Sequence, residues 1–197
     1  EGLVRVAEQE RSRSVRAAQR IRAAGVPCDV VSIGSTPTAL AATHLDGVTE
    51  VRAGVYVMLD LVMHNVGVNQ PSEIALSVLT TVIGHQRKKG WAIVDAGWMA
   101  MSRDRGTQRQ KQDFGYGLVC AEDGEVVGDY VMSGANQEHG IISRNGTPDY
   151  DIEARFPIGT RLRLLPNHAC ATGAQHPVYH AIAADGSVES WPRFYGW

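Results

Sequence analysis

His168 and Cys170 are the residues whose types and spacing most directly suggest a metal. They stand two apart in Pro166-Asn-His-Ala-Cys170, behind the apolar run Arg161–Leu165. At a strand end, both side chains would leave on one side, about 7 Å apart along the backbone. Imidazole and thiolate together suit Zn²⁺, and two protein ligands leave positions open to water or substrate, the pattern of a catalytic metal. The alternative is a buried cysteine beside a hydrogen-bonded histidine. A second candidate is Gly34-Ser-Thr-Pro-Thr38. Backbone N–H groups and the hydroxyls of Ser35 and Thr36 could bind a phosphate at a helix start, or the same residues could simply cap that helix. A third is Glu50-Val-Arg-Ala-Gly-Val-Tyr56. If it is a strand, Arg52 and Tyr56 share a face, and Gly54 lets a ligand approach the backbone; an ordinary surface pair on an edge strand reads equally well. The polar stretches Asp95–Asp104 and Gln137-Glu-His-Gly140 hold groups capable of acid–base work or substrate contact, although solvated turns explain both. His64, His85, His176 and His180 read as structural, and Trp191, Phe194, Tyr195 and Trp197 as core packing.

The elements that must position these residues fall into two textures. Val4, Val15, Ala18, Ile21 and Ala24 recur at helical spacing, with Gly25 as C-cap and Pro27 as a stop. Cys28–Ile33 reads as a strand, Thr38–His44 as a short helix with Pro37 in its first turn, and Glu50–Val57 as a second strand. This order implies parallel strands with crossover helices. After Gln70-Pro71 the pattern becomes short β runs: Ala75–Ile83, Trp91–Asp95, Leu118–Cys120, Glu125–Val127, Arg161–Leu165 and Tyr179–Ile182. Asp123-Gly124, Asn145-Gly146 and Asp185-Gly186 read as hairpin turns between them. The boundary is expected near residues 65–75, giving an α/β part at 1–70 and a mostly antiparallel β-domain at 71–197.

The chain has 197 residues, with 19 Lys and Arg against 21 Asp and Glu, a net charge of −2. That balance argues against binding nucleic acid through bulk positive charge. No run approaches the ~18 apolar residues of a membrane helix, so no membrane span is expected. Three widely spaced cysteines, an odd number, fit a reducing compartment without a disulfide framework. The first residue is Glu1 and no signal peptide follows it. Two βα units are too few for a covered parallel sheet, so the chain reads as a fragment whose missing units lie elsewhere.

Taken together, the motifs resemble the D-serine dehydratase and D-threonine aldolase-like family, pyridoxal-phosphate enzymes of the alanine racemase fold type. The resemblance rests on Gly34–Thr38, Glu50–Tyr56, Asp95-Ala-Gly97 with Ser102 and Asp104, Glu138-His-Gly140, Pro166–Cys170 and the Trp191–Trp197 ending. It implies the C-terminal part of a (β/α)₈ barrel followed by the β-domain. It implies pyridoxal 5′-phosphate held by Ser35 and Thr36, with the backbone at Gly54 and Val55 completing the loop and Arg52 or Tyr56 facing the pyridine nitrogen. It implies Zn²⁺ on His168 and Cys170. The aldolase branch tends to carry a carboxylate as second ligand, so Cys170 favours dehydration. The substrate class would be a D-3-hydroxy amino acid (D-serine, D-threonine or 3-hydroxyaspartate), and the intact protein a cytoplasmic homodimeric lyase. The family's Schiff-base lysine has no counterpart here: Lys88, Lys89 and Lys111 are the lysines present, and none matches its motif. Competing expectations are retro-aldol cleavage, racemisation without a metal, and a non-catalytic binding or oligomerisation module.

Overall fold

A computed structural model describes residues 1–194. The first helix, α1 (Gly2–Ala23), ends where Gly25 turns left-handed. Its apolar face is only partly covered: Ala7 and Ala18 are buried, whereas Val4 and Ile21 are exposed. Beyond it the expected pair of parallel strands exists but is brief. β1 (Ser32–Ile33) pairs with β2 (Glu50–Val51) in parallel register, and α2 (Thr36–Ala41) connects them. The strand predicted over Cys28–Ile33 thus shrinks to two residues, and the short helix begins two residues earlier than predicted. The strand predicted over Glu50–Val57 stops at Val51; Gly54–Val57 is a 3-10 turn. Gly54, at φ +72°, provides the physical reason. A Cβ there would stand 3.0 Å from Thr36 Oγ1, so the chain turns against the start of α2 in a conformation that glycine favours. Arg52 and Tyr56 therefore share no strand face. The Arg52 guanidinium instead donates to Ser32 Oγ, which in turn donates to Glu50.

α3 (Leu61–Asn65) leads into a closed barrel of six antiparallel strands. These are β3 (Val78–Gln86), β4 (Trp91–Val94), β5 (Gly117–Ala121), β6 (Val126–Ala135), β7 (Gly140–Arg144) and β8 (Arg161–Pro166). The order around the barrel is β3-β4-β7-β6-β5-β8, and β8 closes it against β3. Closure leaves no open sheet edge among these strands. Alternation along the strands turns Val82, Val94, Val119, Met132, Ile142, Leu162 and Leu164 into one buried core. Register shifts at Val82/Gly84, Leu118/Cys120 and Met132/Gly134 mark the irregular points of the ladders. On the outer wall Leu61, Ile74, Phe114, Leu118, Cys120, Val131 and Leu165 form a second cluster. Through Leu61 and Ile74 it fastens the segment before the barrel onto the barrel itself.

Three shorter helices sit between or after the barrel strands: α4 (Trp98–Met101), α5 (Ile152–Arg155) and α6 (Ala169–Gly173). A hairpin of β9 (Val178–Ile182) and β10 (Val188–Pro192) follows. Asp123-Gly124 and Asp185-Gly186 do join paired strands, as expected. Asn145-Gly146 does not: it leaves β7 for α5. β7 itself escaped prediction, because its polar entry disguised a strand beginning at Gly140. Of the aromatic ending, Trp191 and Phe194 do not pack as core: Trp191 is exposed and Phe194 is 96% exposed. Tyr195 and Trp197 lie outside the described residues. No helix among the described residues is long and apolar enough to cross a membrane.

Candidate active site

β8 ends at Pro166, and the chain then turns sharply on Asn167. That side chain is fully buried and satisfied on every side. Its oxygen accepts from Thr107 Oγ1 at 2.9 Å, and its nitrogen donates to the carbonyls of Gly115 and Asp104 at 2.6 and 3.2 Å. Its own carbonyl accepts the Val62 N–H at 3.2 Å. One asparagine thus ties the end of β8 to α3 and to the loop after α4. A buried amide with all its partners specifies a single local arrangement.

The next three residues carry the predicted pair. His168 is not on the strand; it is the N-cap residue of α6, and Cys170 lies in that helix's first turn. The expectation of two side chains at a strand end is corrected, because the turn at Asn167 interrupts the extended backbone. His168 Nδ1 lies 2.7 Å from Asp104 Oδ2. A carboxylate can only accept, so Nδ1 carries the hydrogen, and in the neutral imidazole that tautomer places the lone pair on Nε2. Cys170 is exposed and free. Asp60, almost wholly buried, caps α3 by accepting the Met63 N–H at 2.9 Å, and it reaches across to the Ala169 N–H at 3.1 Å. Burial raises the Asp60 carboxyl above the ordinary range, against the lowering effect of the N–H bonds from Met63 and Ala169. Thr172 donates to the Met101 carbonyl at 2.7 Å, docking α6 on α4.

Cys170 and Ala169 line a cleft of about 230 Å³ with Gly54, Val55, Val57, Met58 and Tyr179. Gly54 in turn lies against Thr36. The fold therefore brings three stretches to one place: the Ser35–Thr36 loop, the Gly54–Val55 turn and the His168–Cys170 turn. The N–H groups of Gly54 and Val55 open their turn and need no partner within it. The hydroxyls of the first stretch are partly engaged. Ser35 forms a capping box with Thr38, and Thr36 Oγ1 donates to the Ala53 carbonyl at 2.5 Å. Capping, one of the two readings open from sequence, is thus realised here.

Other candidates do not converge on the cleft. Asp95 accepts from Thr80 Oγ1 and the Thr81 N–H at 2.7 and 2.9 Å, joining the first two barrel strands. Glu138 and His139 are exposed, while the Asn136 and Gln137 carbonyls accept the first N–H groups of α4. His64, His85 and His176 bond to the carbonyls of Asn69, Phe156 and Ala100, as structural histidines do. Lys88 and Lys89 sit in a turn between β3 and β4, and no lysine lines the cleft. Arg105 pairs with Asp113 and Arg144 with Asp129. Arg103 stacks on Trp98 at 4.7 Å and has no carboxylate partner among the described residues. The sequence reading missed Asp60, Thr107 and the role of Asn167, whose signals (an aspartate before an apolar helix, polar residues in loops) occur in any protein.

Fold and site together define a barrel protein with a parallel α/β segment laid against it and a His-Cys turn at the junction. The family described as "Putative serine dehydratase domain" matches residues 75–182, more than half of the chain, and the chain belongs to that family. A D-threo-3-hydroxyaspartate dehydratase from Delftia sp. (strain HT23) is 68% identical over all of this chain and 52% of its own length. Its solved structure superposes with a TM-score of 0.93, again over all of this chain and 52% of that one. A further structure of it is of a cysteine-to-alanine variant in the metal-free form. D-serine dehydratase from Dictyostelium discoideum is 29% identical over 86% of this chain and 43% of its own. An alanine racemase-like protein from Idiomarina loihiensis is 48% identical, with a TM-score of 0.90, over all of this chain and 52% of that one. The chain spans about half the length of the curated relatives it matches.

Proposed function

We propose that this chain is the C-terminal part of a pyridoxal-phosphate- and zinc-dependent lyase that eliminates water from a D-3-hydroxy amino acid, the resulting enamine then taking up water to give a keto acid and ammonia. Residues 1–70 would be the last part of its (β/α)₈ barrel and residues 71–197 the β-domain that carries the metal. The observation that carries this reading is the cleft that Cys170 shares with Gly54 and Val55.

The residues present fit both groups. Glycine at 54 leaves room where a Cβ would crowd Thr36, so the cofactor's phosphate would meet the turn's N–H groups together with Ser35 and Thr36. The imidazole tethered through Nδ1 and the exposed thiol form a donor pair suited to Zn²⁺. When bound, the cofactor supplies an electron sink, and the ion supplies Lewis acidity toward the substrate hydroxyl, which is otherwise a poor leaving group. The chain's own task is orientation. Asn167 fixes the direction of the turn, Cys170 lines the cleft with Val57 and Met58, and His168 stands two residues before Cys170 at the start of the same helix.

Both curated relatives described above are named dehydratases, which weighs toward elimination rather than retro-aldol cleavage. The identity to the Delftia enzyme favours 3-hydroxyaspartate as substrate. Of the candidates Arg103, Arg105 and Arg144, Arg103 is the one without a carboxylate partner among the described residues, and we assign it to a second substrate carboxylate.

The test uses the whole protein. It should show the visible absorption band of bound pyridoxal phosphate, and chelation should abolish keto-acid formation until Zn²⁺ is returned. Undiminished turnover in the His168→Ala, Cys170→Ala double variant would remove the metal from the reaction. In the same assay, Arg103→Ala should lower the rate on D-3-hydroxyaspartate more than on D-serine; an equal loss would end that assignment.

A further inference from the structure

The turn that carries His168 and Cys170 is held from two sides by carboxylates. Asp104 Oδ2 meets His168 Nδ1 at 2.7 Å. Asp60 Oδ2 meets the Ala169 N–H, between the two candidate ligands, at 3.1 Å, while its Oδ1 takes the Met63 N–H at 2.9 Å. The backbone that delivers each is unusual. Among the described residues, the non-glycine positions with positive φ are Leu59, at +56°, and Ser102, at +72°. One directly precedes Asp60 and the other stands two residues before Asp104. Ser102, with ψ near 172°, occupies a region that residues other than glycine rarely visit. Such conformations persist only where the surroundings enforce them, and here both lead to the same three-residue turn. Asp104 is further anchored because its carbonyl accepts from the buried Asn167 amide at 3.2 Å.

We propose that Asp104 and Asp60 are positioning residues for the metal pair. Asp104 sets the tautomer and plane of the His168 imidazole, so that Nε2 faces the ion. Asp60 fixes the peptide between the ligands and with it their separation. This rests on the metal reading above and adds the residues that make two ligands sufficient. An imidazole whose second nitrogen is held by a carboxylate is both oriented and more basic. The two sites differ in what they tolerate. Asparagine at 104 still accepts the single Nδ1–H through its amide oxygen. Asparagine at 60 has one acceptor oxygen for two N–H donors, so its amide nitrogen would face one of them.

The experiment measures Zn²⁺ binding to the metal-stripped whole protein, by competition with a chromogenic chelator, alongside thermal unfolding without metal. Asp104→Ala should weaken binding about 10- to 100-fold, with an unfolding midpoint close to that of the parent protein. Asp104→Asn should recover most of the loss, and Asp60→Asn should not. If Asp60→Asn fails to fold, the Asp104 variants decide. Parental Zn²⁺ affinity in Asp104→Ala overturns the proposal while leaving the metal reading intact, provided the His168→Ala, Cys170→Ala variant has lost the ion. Retention of Zn²⁺ by that double variant overturns both. A lowered unfolding midpoint with unchanged affinity assigns the carboxylates to stability alone and also overturns the proposal.

Discussion

The barrel and the segment before it solve the same problem to different degrees. Six strands close on one another and bury Val82, Val94, Met132, Ile142 and Leu164 completely. Residues 1–70 contain one parallel pair of two-residue strands and leave Val30, Leu40, Val51 and Val57 exposed. Yet this less complete region supplies half of the cleft. A closed barrel has little freedom to reshape its wall, whereas turns laid against it can take the special conformations at Gly54 and Leu59. Rigid scaffold and adaptable turns commonly divide the labour in this way.

The comparison can be broken most forcefully by truncating side chains in the two regions. Ile142→Ala opens a hole in the barrel core and should cost about 2–5 kcal/mol of stability. Val30→Ala, on a side chain that is 62% exposed, should stay within about 0.5 kcal/mol in this 197-residue chain. Urea unfolding midpoints check both, and equal losses would show that the two regions are not packed differently. A larger cost for Val30→Ala in a longer polypeptide would point to a segment covering that face.

The cysteines sharpen the contrast at the level of single atoms. Burial pushes the Cys120 thiol, in the second apolar cluster, up to about 11. Cys170 faces the cleft and solvent. A brief pulse of iodoacetamide followed by mass spectrometry should therefore modify Cys170 and spare Cys120 until the protein is unfolded, and added Zn²⁺ should protect Cys170. Labelling of Cys120 in the folded protein would mean that the outer wall of the barrel opens readily.

The smallest effect concerns the barrel's own polar edge. The Tyr130 hydroxyl donates to Asp149 and holds that carboxyl below its ordinary value. Burial, reinforced by Asp149, raises the Tyr130 hydroxyl. A depressed carboxyl contributes stability above its unfolded pKa and loses it as pH falls through the folded one. A raised hydroxyl contributes below its unfolded pKa and loses that as pH climbs through the folded one. The bond should thus stabilise across the neutral range. Tyr130→Phe should lower stability there by less than about 1 kcal/mol, because Asp149 is partly exposed. The difference from the parent should shrink near pH 2, and a difference that grew on acidification would contradict this pairing.

Much of this was legible from residue order. The parallel start, most of the barrel strands and two hairpin turns follow from periodicity and turn chemistry, which act over a few neighbours. His168 and Cys170 stand out by type and spacing as a candidate metal pair and Ser35–Thr36 as a candidate anion loop, whereas Gly54–Val55 joins that loop only through the family resemblance. The failures share a cause. Glu50–Val57 looks like a strand until Thr36, 18 residues before Gly54, meets it and turns it. The aromatic ending looks like core, yet Trp191 and Phe194 face solvent.

What the sequence determined by itself is therefore the inventory of elements and reactive groups, because local preference and side-chain chemistry need only nearby residues. Tertiary structure alone decided which groups meet. Asp60 reaches Ala169 across 109 positions, Asp104 reaches His168 across 64, and Asn167 gathers both neighbourhoods. Such contacts depend on barrel closure and on buried polar groups finding their partners, and no window along the chain contains both sides of them.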